Sequence, residues 1–138
     1  ESFKHELRVI IDVLVIQLAS PVILHCPDCL KLLGAKIGNN FALAGTIYNS
    51  ELVEIGNNVI IGNQALITCH IVDANRVILK RIKIGNNCTI GVRSVVMPGV
   101  EIGDNSVVAP GSIVAVDIKI PPNQIWAGIP AKYKGNIR

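Results

Sequence analysis

Ile84-Gly85-Asn86-Asn87-Cys88-Thr89-Ile90-Gly91-Val92-Arg93-Ser94-Val95-Val96 places an aliphatic residue at every sixth position, and the step continues through Ile102, Val108, Val114 and Ile120 to Trp126. Such a step fits neither a helix, with ~3.6 residues per turn, nor the two-residue alternation of a strand. It fits a coil of three short flat strands, one hexapeptide per side, the repeat of a parallel β-helix. Residues eighteen apart then stack. Ile84, Ile102 and Ile120 form one inward ladder, Ile90 and Val108 a second that Trp126 extends and closes, and Val96 and Val114 a third. The fifth positions, Cys88, Ser94, Val100, Ser106 and Ser112, are small or β-branched because three walls meet around a narrow axis there. Asn and Gly between the aliphatics supply corner residues, for which positive φ costs little.

Upstream, Ile37, Leu43, Ile55, Ile61 and Ile67 hold the same phase, and Asn49 is the single failure. Ile67 to Ile84 is seventeen residues, which breaks the phase and requires an excursion, expected at residues 73–83. Arg76, Lys80, Arg81 and Lys83 give that excursion a basic edge. His70 is fourth in the hexapeptide opened by Ile67, so its ring should leave the packed axis where the excursion begins. Downstream, Pro121-Pro122 marks the expected end of regular coiling, and Lys132, Lys134 and Arg138 make a basic tail.

Residues 1–36 read as an N-terminal helix and connector, and residues 37–138 as the β-helix with its excursion and tail. The helix is expected over residues 3–19, with Pro21 ending it. Its apolar run, residues 9–24, contains Asp12 and Gln17 and falls short of the ~20 apolar residues of a membrane span. Residues 3–24 are therefore expected to pack on protein or rest on a membrane surface. Cys26-Pro27-Asp28-Cys29 reads as a turn on Pro27 and Asp28, with a redox pair or metal clip as the alternative. No second Cys pair follows to complete a zinc site.

With 138 residues the chain makes one domain, and a half-apolar composition with only 4% aromatic residues suits aliphatic ladders. A net charge of +3 is too mild for a nucleic-acid surface. Four irregularly spaced cysteines form no disulfide framework, which favours a reducing, cytoplasmic setting with or without membrane attachment. The sequence begins at Glu1, so residues upstream of it are expected.

Ile84-Gly85-Asn86-Asn87, Pro98-Gly99-Val100 with Ile102-Gly103-Asp104-Asn105, and Gly128-Ile129-Pro130-Ala131-Lys132 resemble the hexapeptide-repeat acyltransferases. More loosely, His70 to Asp73, Val77-Ile78-Leu79 and the Trp126 to Pro130 segment look like tail domains of that family beside membrane segments or synthetase modules. The resemblance implies an all-β fold, a left-handed parallel β-helix, with assembly as a homotrimer. It also implies acetyl-CoA as acyl donor, bound without metal between subunits, and a hydroxyl or amine of a small molecule or saccharide as acceptor. Residue by residue, it makes His70 the general base and the N–H of Val92, after Gly91, the oxyanion donor. Gly91, Ala109 and Gly111 fall at the pantetheine contact, where Pro110 offers no N–H, and Lys132 and Lys134 are candidate phosphate partners. Asp73 is the candidate for orienting His70. The family's Thr-Lys-Asp is replaced by Ala115-Val116-Asp117.

The competing reading is a catalytically inactive scaffolding or trimerising β-helix. A zinc-hydroxide enzyme on this fold needs three converging histidines, whereas His70 stands alone within the repeats and His5 and His25 precede them.

Overall fold

A computed structural model describes residues 26–137. The helix expected over residues 3–19 lies outside them. Pro27–Leu32 forms α1, so the expected turn is the start of a short helix; Pro27 suits its first turn, where no N–H is needed. Leu30 is buried beneath it against the first coil. Among the described residues no helix is long and apolar enough to cross a membrane.

The strands that follow wind into three parallel sheets. Face A stacks β1 (Lys36–Ile37), β4 (Val53–Ile55), β9 (Ile82–Ile84), β12 (Glu101–Ile102) and β15 (Lys119–Ile120). Face B stacks β2 (Ala42–Leu43), β5 (Ile60–Ile61), β10 (Thr89–Ile90), β13 (Val107–Val108) and β16 (Gln124–Gly128), and face C stacks β3 (Thr46–Tyr48), β6 (Leu66–Thr68), β11 (Val95–Val96) and β14 (Ile113–Val114). The registers reproduce the predicted ladders: Ile84, Ile102 and Ile120 align, as do Ile90, Val108 and Trp126, and Val96 with Val114. Each fully buried Ile or Val contributes about 1.5–3 kcal/mol relative to exposure. The small fifth positions fill the axis between the ladders, and their polar atoms have partners. Ser94 Oγ donates to Gly91 O at 2.6 Å, and Ser106 Oγ to Pro121 O at 2.9 Å.

Three departures from the sequence reading have local causes. The third ladder begins with Ile47, which pairs with Ile67; Asn49, two residues later, adopts a left-handed φ of 57° and opens a short 3-10 turn, Ser50–Leu52. The excursion is an antiparallel hairpin, β7 (His70–Asp73) and β8 (Arg76–Leu79). It thus starts at His70 rather than at residue 73, and Ile82 and Lys83 are already back in face A. Coiling also survives Pro121-Pro122, because β16 still pairs in parallel with β13 before the chain reverses at the cis Ile129-Pro130 bond into β17 (Ala131–Asn136).

Candidate active site

His70 stands at the corner from face C to face A, as the first residue of the hairpin, and its ring is half-buried. The cause of its fixed orientation is Asn49, whose Oδ1 lies 2.6 Å from His70 Nδ1. A carboxamide oxygen only accepts, so Nδ1 carries a proton, and in the neutral ring the lone pair is then on Nε2. Tyr48 meets the ring edge-on with centroids 6.0 Å apart. Thr68 Oγ donates to the His70 carbonyl at 3.2 Å. Asp73, the expected orienting group, does something else: it accepts from Ala74 N–H at 2.7 Å in the hairpin turn and pairs with Arg76 at 3.7 Å.

Gly91, Val92, Ala109 and Gly111 gather at a different corner, from face B to face C. Here neighbouring coils come so close that a Cβ at Gly91 would stand 2.7 Å from Ala109 C, which only glycine avoids. Gly91 N–H donates to Val108 O, Ala109 N–H to Trp126 O and Gly111 N–H to Val92 O, each at 2.8 Å. What Ala109 and Gly111 have left to offer are carbonyls. Val92 differs, since its N–H has no acceptor among the described residues.

The reason is visible by comparison with the corner from face A to face B. There the N–H after the repeat glycine donates to a side chain one coil further on: Asn39 to Asn57 Oδ1, Asn57 to Asn86 Oδ1 and Asn86 to Asp104 Oδ1, at 2.7–2.8 Å. The residue one coil beyond Val92 is Pro110, which has no such acceptor.

Within one chain the structure does not bring His70 and Val92 together. They flank face C from its two edges.

Lys132 and Lys134 are exposed on β17, Lys134 at the bulge where Tyr133 faces Trp126 and Gly135 faces Ile125, and they pair with no carboxylate among the described residues. The expected basic edge of the excursion is mostly neutralised: Arg76 pairs with Asp73, Lys80 with Asp117, and Arg81 with Glu54 at 3.4 Å. Lys36 beside Glu54 holds that carboxyl below its usual range. Among the described residues no three His, Cys, Asp or Glu side chains gather as metal ligands.

Residues 81–115 match the family model described as bacterial transferase hexapeptide (six repeats). The chain is a hexapeptide-repeat β-helix. No curated protein matches it in sequence. Among solved structures it resembles a hexapeptide-repeat-containing acetyltransferase from Vibrio cholerae O1 biovar eltor complexed with acetyl coenzyme A, at 25% identity and a TM-score of 0.70. That match covers 76% of this chain, which spans only 61% of the Vibrio chain. A galactoside acetyltransferase in complex with coenzyme A is 28% identical, with a TM-score of 0.63, covering 80% of this chain and 69% of its own. A maltose O-acetyltransferase from Clostridium difficile 630, at 23% identity and a TM-score of 0.62 over 80% of this chain and 74% of its own, shares the fold. The solenoid of this hexapeptide-repeat chain is the left-handed parallel β-helix of these acetyltransferases.

Proposed function

We propose that this hexapeptide-repeat chain is a coenzyme A-dependent acyltransferase that acts as a homotrimer and passes an acetyl group to a hydroxyl of a small molecule or saccharide. The observation that carries this reading is the pair of prepared groups flanking face C. On one edge is an imidazole whose Nδ1 is held by Asn49 and whose Nε2 is available; on the other is the N–H of Val92, which has no acceptor among the described residues.

The outer rows of the prism support a trimer that joins them. Face A presents Lys36, Glu54, Lys83, Glu101 and Lys119, a row suited to water. Face C presents Thr46, Leu66, Val95 and Ile113. If face C is turned towards a threefold axis, the Val92 corner of one subunit abuts the His70 corner of the next, as a head-to-tail contact closing into a ring requires. The hairpin of that neighbour, with Val72 and Val77 exposed, then has the apolar row of face B, including Ile60 and Val107, to lie upon.

In the reaction, His70 Nε2 takes the proton of the acceptor hydroxyl as its oxygen attacks the thioester carbonyl, and the neighbour's Val92 N–H holds the developing oxyanion. Collapse of the tetrahedral species breaks the C–S bond, and the protonated imidazole returns the proton to the leaving thiolate. The carbonyls of Ala109 and Gly111 suit the amide N–H groups of pantetheine, Gly91 keeps that corner narrow, and Lys132 and Lys134 suit the nucleotide phosphates. The likeness to acetyltransferases holding acetyl coenzyme A or coenzyme A supports the donor.

The test is a screen of sugars, amino acids and amines with acetyl-CoA, following free thiol release. We expect turnover with a hydroxyl acceptor and a loss of about 10²–10⁴-fold in kcat for His70→Ala. A verified acceptor turned over equally by His70→Ala would remove His70 from the chemistry, and no turnover with any acceptor would favour the scaffold.

A further inference from the structure

The four thiols of the described residues fall into two chemical groups. Cys69 and Cys88 are fully buried, and burial pushes the Cys69 thiol up to about 12, so neither is available to a nucleophilic reaction near neutrality. Cys26 and Cys29 are partly exposed and lie on one turn at the start of α1. The N–H groups of Cys29 and Leu30 both bond the Cys26 carbonyl, at 3.1 and 3.3 Å, which closes the single turn that carries both cysteines. We infer that Cys26 and Cys29 are a reversible dithiol–disulfide couple that exchanges with small-molecule disulfides such as glutathione disulfide.

The two thiols have different roles. The N–H and thiol of Cys29 hold Cys26 below the ordinary thiol range, whereas hydrogen bonding to Cys26 holds Cys29 above it. Cys26 is therefore the attacking thiolate. It displaces one glutathione thiolate from glutathione disulfide, breaking that S–S bond and forming a mixed disulfide at Cys26. Cys29 loses its proton and attacks the Cys26 sulfur, releasing the second glutathione. Two protein thiols are oxidised to one disulfide, while one glutathione disulfide is reduced to two glutathiones. The ring so formed closes over the turn whose Leu30, 3% exposed, is buried against the first coil.

The experiment equilibrates the full chain with excess glutathione disulfide, alkylates the remaining thiols under native conditions and after unfolding, and maps the products by mass spectrometry. The expected wild-type product lacks two hydrogens, carries no glutathione and has the bond between Cys26 and Cys29, with Cys69 and Cys88 still reduced. Cys29→Ser should hold one glutathione on Cys26, while Cys26→Ser should take up glutathione more slowly than Cys29→Ser. A wild-type chain with all four thiols still alkylatable would overturn the couple. Glutathione uptake by Cys26→Ser as fast as by Cys29→Ser would overturn the assignment of the attacking residue.

Discussion

Asn49 illustrates how a single residue can look like a defect in a pattern and yet position a candidate base. Its left-handed φ of 57° is tolerated by Asn better than by most side chains, and that backbone turns its carboxamide to within 2.6 Å of His70 Nδ1. Asn49→Gly keeps the backbone conformation and removes the oxygen, whereas Asn49→Asp keeps an acceptor. We expect Asn49→Gly to lower kcat on the order of tenfold to a hundredfold with KM for acetyl-CoA unchanged, and Asn49→Asp to retain most activity. Steady-state kinetics checks this; equal activity of Asn49→Gly and wild type would mean the ring orients itself. His70 was legible in the sequence because its place beside a phase break was countable. Asn49 was not, since the hexapeptide count put it where an aliphatic should stand and hid Ile47 two residues earlier. Asp73 was nearer in sequence, but strand pairing opposite Arg76 carries it to the hairpin tip.

The hairpin of β7 and β8 is the element on which His70 depends, and it is tied down at its base rather than along its length. Lys80 N–H donates to Cys69 O at 2.9 Å, and the Lys80 side chain pairs with Asp117 across the next coil. Gly99 makes room for that pair: its φ is 79°, and a Cβ there would stand 3.1 Å from Lys80 Cδ. Both partners are substantially exposed, so the pair adds only ~0–1 kcal/mol to stability. Asp117→Ala is therefore expected to leave the denaturation midpoint nearly unchanged while exposing the hairpin to proteolysis and lowering kcat about fivefold, as loosened active-site loops do. A large stability loss with an intact hairpin would contradict this. At the other end, Lys132 and Lys134 on β17 predict that the double Ala variant weakens coenzyme A binding, most strongly at low salt; calorimetry showing equal affinity would place the phosphates elsewhere. The count of seventeen residues from Ile67 to Ile84 revealed that an insert exists, but not its register, which is fixed by Ile71 facing Ile78 and Val72 facing Val77. Coiling past Pro121-Pro122 was illegible for a related reason: two prolines at a corner break no ladder bond that the following strand needs.

For the whole molecule, ladders were readable because every hexapeptide repeats one burial rule, whereas faces were not, because outward rows are set eighteen or more residues apart and shift wherever a coil is longer. Only the registers reveal that face A is a charged row of Lys36, Glu54, Lys83, Glu101 and Lys119 while face C, beyond Thr46, presents the apolar Leu66, Val95 and Ile113, with His70 and Val92 on opposite edges. In the proposed trimer each site takes His70 from one subunit and the Val92 N–H from its neighbour. Val92→Pro deletes that N–H alone, and proline already occupies the same corner one coil on, at Pro110. Alone, Val92→Pro should lose ~10²–10³-fold in kcat, and His70→Ala should be similarly inactive. The decisive measurement is the activity of the two variants unfolded together, mixed in equal amounts and reassembled. About a quarter of the sites in random mixed trimers should combine an intact His70 with an intact Val92 N–H, restoring about a quarter of wild-type turnover. A mixture no more active than its two components would show that both groups serve from the same chain, or that one of them does not serve at all.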